Sequence, residues 1–130
     1  MTITGPAPFE ATEAVALADA VTTAGSLAPV EAAMQVVLEP GRIELADGVR
    51  ALAAADIVAA VRGNPSAQLP AGVATWIAQA SPMASSTVVA QAREVVSFVA
   101  SDDSALCEEQ AARFGAGWMA VLDDLSTRLA

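Results

Sequence analysis

The 130-residue chain contains no histidine, no lysine and no tyrosine. It therefore lacks the commonest general base, the amine of Schiff-base chemistry and the phenolic acid. A Ser-His-Asp or Cys-His constellation cannot be assembled from it. Neither can a zinc site built on histidine and several cysteines. Cys107 is the only cysteine, so no disulfide joins two parts of the chain, which suits a reducing compartment. It is flanked by Glu108 and Glu109 with no nearby cation, and reads as a small buried hydrophobe rather than a nucleophile. The sequence shows no Walker loop, dinucleotide fingerprint or calcium loop. The expectation is a protein that is not an enzyme and takes no cofactor.

Long apolar runs are missing as well. Asp56 interrupts Ala51–Val61, and Arg93-Glu94 interrupts Val88–Ala100, so no stretch approaches the roughly 18 uncharged residues of a membrane span. The opening MTITGPAPFEATEAV has no basic start and carries Glu10 and Glu13 early, unlike a signal peptide. A cytoplasmic location is expected. Positive charge is scarce: 6 arginines face 15 acids, for a net charge of -9. A field of that sign repels phosphate backbones and anionic membranes. The expected partner is a basic protein surface, with no nucleic acid and no membrane.

What the chain has in abundance is alanine, which raises its hydrophobic share to 55%. Alanine is the best helix former and suits both core and surface. Its abundance argues for close helix packing and is compatible with a homo-oligomer. The length suits one domain. Residues 1–8, with Gly5, Pro6 and Pro8, read as an irregular lead-in, and residues 9–130 as a single helical domain.

The spacing of apolar residues predicts six or seven short helices in an all-α, irregular orthogonal bundle. The first runs from about Phe9 to Thr23 and is closed by Gly25. The second follows a Ser26 cap, with Pro29 in its first turn. Glu39-Pro40-Gly41 stops it. The third spans about Asp47 to Arg62, with Val49, Leu52, Ile57 and Val61 on a broad apolar arc and Gly63 just beyond its end. The fourth opens at Pro70 and carries Val73, Trp76 and Ile77. The fifth, about Ser85 to Ala100, is rich in valine, but the adjacent pairs Val88-Val89 and Val95-Val96 break a strand's alternation. Ser101 to Ser104 offers caps for a sixth, and Phe114-Gly115-Ala116-Gly117 separates it from a last helix bearing Trp118, Val121, Leu122, Leu125 and Leu129.

Carboxylates are the remaining reactive groups. Glu10 and Glu13 lie one turn apart, while Asp102-Asp103, Glu108-Glu109 and Asp123-Asp124 are adjacent. Neighbours on a helix diverge by about 100°, so the adjacent pairs do not converge on one metal ion. They read as solvated faces and caps, and no metal site is assigned. Asp56 is different, because it falls inside the apolar arc between Val49 and Leu52. A buried acid must be paired or raise its pKa. Its structural reading is a bond to a helix end or to an arginine such as Arg93 or Arg128. Its functional reading is the polar anchor of a small-ligand pocket. Trp76 and Trp118 are candidate aromatic contacts, though core anchoring is the commoner role.

The segment Ala53-Ala54-Ala55-Asp56-Ile57-Val58-Ala59-Ala60, with Gly63-Asn64-Pro65-Ser66, Leu69-Pro70 and Trp76, carries a resemblance. So do Phe9-Glu10, Pro29-Val30-Glu31-Ala32-Ala33, Ser104-Ala105-Leu106 and the Trp118…Leu125…Arg128-Leu129 pattern. Together they resemble the bacterial family catalogued as domain of unknown function 4259, over nearly the whole chain. That family opens with a Gly/Trp-rich segment before the phenylalanine, of which this chain keeps Gly5 and Phe9. It has no assigned activity, so the resemblance implies a small cytoplasmic bacterial helical protein and transfers no catalytic residue. Three functions follow as expectations. The first is a non-enzymatic binding or immunity-like module for a basic protein. The second is a small-ligand binder anchored on Asp56. The last is a carboxylate-metal hydrolase.

Overall fold

Helix dominates because little in the chain opposes it: alanine is plentiful, and most glycines and prolines stand at helix boundaries. The computed structural model describes residues 3–101 and 104–130. Seven α-helices follow in order: α1 Thr12–Ala24, α2 Ala28–Leu38, α3 Leu45–Val61, α4 Ala71–Ala80, α5 Ser86–Val99, α6 Ala105–Phe114 and α7 Ala116–Leu129. A single 3-10 turn, Pro8–Glu10, precedes them. Among the described residues there are no strands, only the isolated bridges Ile3 to Ala11 and Ile43 to Ser104. None of these helices is long and apolar enough to cross a membrane.

The third helix is the axis of the molecule. All ten residues from Ala51 to Ala60 are buried, and every other helix touches α3. The broad apolar arc of Val49, Leu52, Ile57 and Val61 here widens to the whole circumference. Alanine presents so little volume that neighbours close in from all sides, and a helix apolar all round is a buried one. At Gly48 the approach is tightest, where an added Cβ would stand 3.1 Å from Leu106 Cβ.

Local chemistry sets the ends. Gly63 adopts φ +94 just past α3. Its N–H donates to Ala60 O, and the Asn64 N–H donates to Ala59 O, each at 2.9 Å. That 6→1 and 5→2 pairing closes the helix and turns the chain sharply. The hydroxyls of Ser85 and Ser104 accept from Val88 and Cys107 N–H at 3.2 Å, capping α5 and α6. Asp102-Asp103 lies outside the described residues. Leu27, not Ser26, is the N-cap of α2; the Ser26 hydroxyl instead accepts from Ala28 N–H.

The expected first helix is interrupted. Ala11 is extended (φ -119, ψ 142) and bridges to Ile3, so Phe9 belongs to the 3-10 turn and α1 begins after it. Residues 3–8 are fixed onto α6 as well: the Gln110 amide donates to Gly5 O and Arg113 donates to Ile3 O. At the end of α4, Ser81 is held at φ 46, the left-handed region that disfavours L side chains. It is exposed, so Ser81→Gly is expected to raise stability by about 1 kcal/mol. Chemical denaturation of the two proteins tests this, and an unchanged midpoint would refute it.

Candidate functional site

The break Gly63-Asn64-Pro65 returns the chain beside α7, and there the buried acid meets its partner. Asp56 is fully enclosed (0% exposed). Its Oδ1 accepts from Arg128 Nη1 at 2.6 Å. The same Nη1 donates to Asn64 O at 3.2 Å, and Arg128 Nε donates to Asp124 Oδ2 at 2.9 Å. Asp124 and Arg128 are four residues apart on one face of α7, the spacing at which helical ion pairs form. Of the two arginines considered for Asp56, Arg128 is the one that bonds it. Arg93 Nε instead donates to Leu129 O at 2.9 Å.

The electrostatics of the pair are unequal. Burial pushes the Asp56 carboxyl above its usual value, because a charge out of water is costly. The bond and charge of Arg128 oppose this, the Asp124 charge adds to it, and nearby Ser66 opposes it weakly. Burial also works against the Arg128 charge, but Asp56 and Asp124 together outweigh it and hold its pKa above normal. The difference has a plain cause. Arg128 keeps 13% of its side chain exposed and has two acids, whereas Asp56 is closed in and has one arginine.

Among the described residues Asp56 Oδ2 has no partner in hydrogen-bond geometry; the Ser66 hydroxyl acts on the carboxyl only weakly. Beside it lies a cleft of about 240 Å³ lined by Ala7, Pro8, Asp56, Ser66, Gln68, Ala120, Val121, Asp124 and Arg128. The cleft joins four places in the chain: the lead-in, the axis of α3, the loop after it and the outer side of α7. From sequence, only Asp56 and Arg128 were expected to meet. Ser66 and Gln68 sit on a loop and carry no periodic signal. Asp124 stood only as half of an adjacent acid pair, although its i,i+4 spacing to Arg128 was there to be read.

The other candidates do not gather here. Trp118 is fully buried in the core and offers no platform; its indole N–H is without a partner among the described residues. Trp76 is partly buried and packs on the core's edge. Glu10 accepts from the Ala7 N–H, while Glu13 pairs with Arg50 at 2.8 Å, so these two carboxylates serve different ends. Glu108 pairs with Arg42 at 2.7 Å, which holds its carboxyl below the usual range. Among the described residues no three potential metal-ligating side chains come together. Cys107 is half-buried, its Sγ 3.5 Å from Ala100 O.

The arginines share one property. Arg42, Arg50 and Arg128 pair with acids, and Arg62, Arg93 and Arg113 donate to backbone carbonyls. All six are thus engaged within the chain. Arg62 and Arg93 both hold Leu129 O, at 2.6 and 2.9 Å, at the negative end of α7's dipole. The carboxylates of Asp19, Glu31, Glu39, Glu44, Glu94 and Asp123 are exposed, and none of them pairs with a described arginine.

No curated protein and no solved structure matches this chain. A family model does match, over residues 3–120, a span that takes in the axial helix, Asp56 and the first turn of α7, and ends before Asp124 and Arg128. The chain belongs to the family described as a domain of unknown function (DUF4259).

Proposed function

We propose that this protein is a non-enzymatic interaction module whose acidic surface docks a basic protein, as an immunity-like inhibitor of a basic toxin would. One observation carries the reading. Every arginine is engaged by another group of the same chain, while a set of exposed acids has no arginine partner. The net charge of -9 is thereby presented outward with little cationic relief. Such a field speeds encounter with a positive partner and suppresses wrong ones. The absence of His, Lys and Tyr from the sequence supports binding over catalysis.

The test is recovery of partners from source cells at low salt, followed by association kinetics with each purified partner. A basic protein is expected, with an association rate that falls steeply as salt rises. Charge reversal at exposed sites, Glu31→Lys with Glu39→Lys, or Asp123→Lys, is expected to slow association about tenfold or more on the docking face. It should leave dissociation nearly unchanged. A salt-independent rate, or partners with no basic surface, would overturn the reading.

A further inference from the structure

The cleft beside Asp56 is unbalanced in charge and in hydrogen bonding. Two carboxylates, Asp56 and Asp124, share one guanidinium. Asp56 Oδ2 is enclosed and, among the described residues, has no donor in hydrogen-bond geometry, a costly state for a buried polar group. What the site lacks is one positive charge with N–H donors. The open space beside it, about 240 Å³, lies below the roughly 300–1,000 Å³ of drug-sized ligand sites. Its occupant is therefore small. Pro8, Ala120 and Val121 give the cleft an apolar wall, which suits a short hydrocarbon stem.

We propose that this cleft binds a primary alkylammonium group, with Asp56 and Asp124 as its anionic anchors. An ammonium brings three donors and no acceptor, and the cleft offers acceptors on Asp56, on Asp124 and on the side chains of Ser66 or Gln68. An anion would meet two carboxylates, and a neutral alcohol would leave the charge uncorrected. Oδ2 is closed off in the free chain, so a ligand reaches it once the long lining side chain of Gln68 changes rotamer. The group arrives either as a free small amine or as the lysine side chain of a docked protein. The inference stands apart from the acidic-surface reading, since it rests on the cleft and on one enclosed oxygen.

The experiment is a titration of the full chain, followed by amide chemical shifts and melting temperature, with n-butylammonium, butyrate, 1-butanol and an N-acetyl-lysine amide. Salt of matched ionic strength is the control. Saturable shifts at Ser66, Gln68 and Ala120 are expected with the two amines and with neither of the others. A tighter capped lysine points to a partner's side chain as the source, and a tighter butylammonium to a free amine; each supports the site. Asp124 is exposed, so Asp124→Asn should fold, and it should weaken amine binding about tenfold. Ala120→Leu, which fills the cleft without removing an acid, should abolish it. Asp56→Asn should do the same wherever its melting shows that it is folded. Equal response to butylammonium and salt, preference for butyrate, or binding that survives Ala120→Leu would overturn the proposal.

Discussion

Replacing Arg128 by Ala is expected to cost about 3–5 kcal/mol at neutral pH, the range for stranding one member of a buried ion pair. The reason lies on the other side of the contact. Asp56 Oδ1 loses its Arg128 donor, 2.6 Å away, on a carboxylate that the fold otherwise encloses. The loss should shrink as the pH falls, because a protonated Asp56 needs no counter-charge. Folded Asp56 titrates above its usual value of 3.8, chiefly through burial. Folding therefore takes up a proton in that window. The contribution of Asp56 to stability is fully present below about pH 3.8 and is lost as pH rises through the raised folded value. Stability of wild type and Asp56→Asn compared across pH isolates this group. In the Asp56→Asn background, Arg128→Ala should cost less than in wild type, by about 0.5–3 kcal/mol of coupling. Strictly additive losses would show that the pair is not what Arg128 supports.

Trp118→Ala carries the second large effect, about 3–5 kcal/mol. Trp118 heads the large side chains that are wholly enclosed, and its removal leaves a void between α7 and its neighbours. Trp118→Phe is expected to be much milder. The indole N–H has no partner, so phenylalanine gives up volume but also removes an unmatched donor, whose burial costs about 1–3 kcal/mol. Urea denaturation of the three proteins separates the two contributions. A Phe variant as unstable as the Ala variant would show that the N–H is bonded after all, for example to an enclosed water.

Much of this was written in the sequence. Gly63 announced the end of α3, Gly25 the end of α1, and the valine doublets of α5 pointed to a helix. Asp56, an acid on an apolar face, pointed to Arg93 or Arg128, and the structure bonds it to Arg128. Three things were not legible, each for a physical reason. Alanine is nearly silent in a periodicity argument, so the spacing marked a broad apolar arc on α3 but not how far burial runs around it from Ala51 to Ala60. The split between the 3-10 turn and α1 depends on the Ile3 to Ala11 bridge, a pairing that leaves no pattern. The cleft is assembled from four separate stretches, and its loop residues Ser66 and Gln68 became neighbours of Asp56 only through the turn at Gly63.

The alanine axis bears on how much change the interior can absorb. Burying an alanine forfeits no rotamer freedom, so each of the six alanines from Ala51 to Ala60 costs backbone entropy alone. It also gains little, at about 0.8 kcal/mol per buried carbon, and relies on the nearness of its neighbours for dispersion. Apart from the large enclosed side chains of Leu52, Ile57 and Val58, the helix has almost nothing to lose to truncation at these alanines and no slack for growth. Larger residues there would push apart several helices at once, whereas the valines and leucines of the surrounding shell can trade shapes in compensating pairs. Variation in the interior is thus steered outward, and the axial helix acts as a gauge that fixes the spacing of everything packed around it.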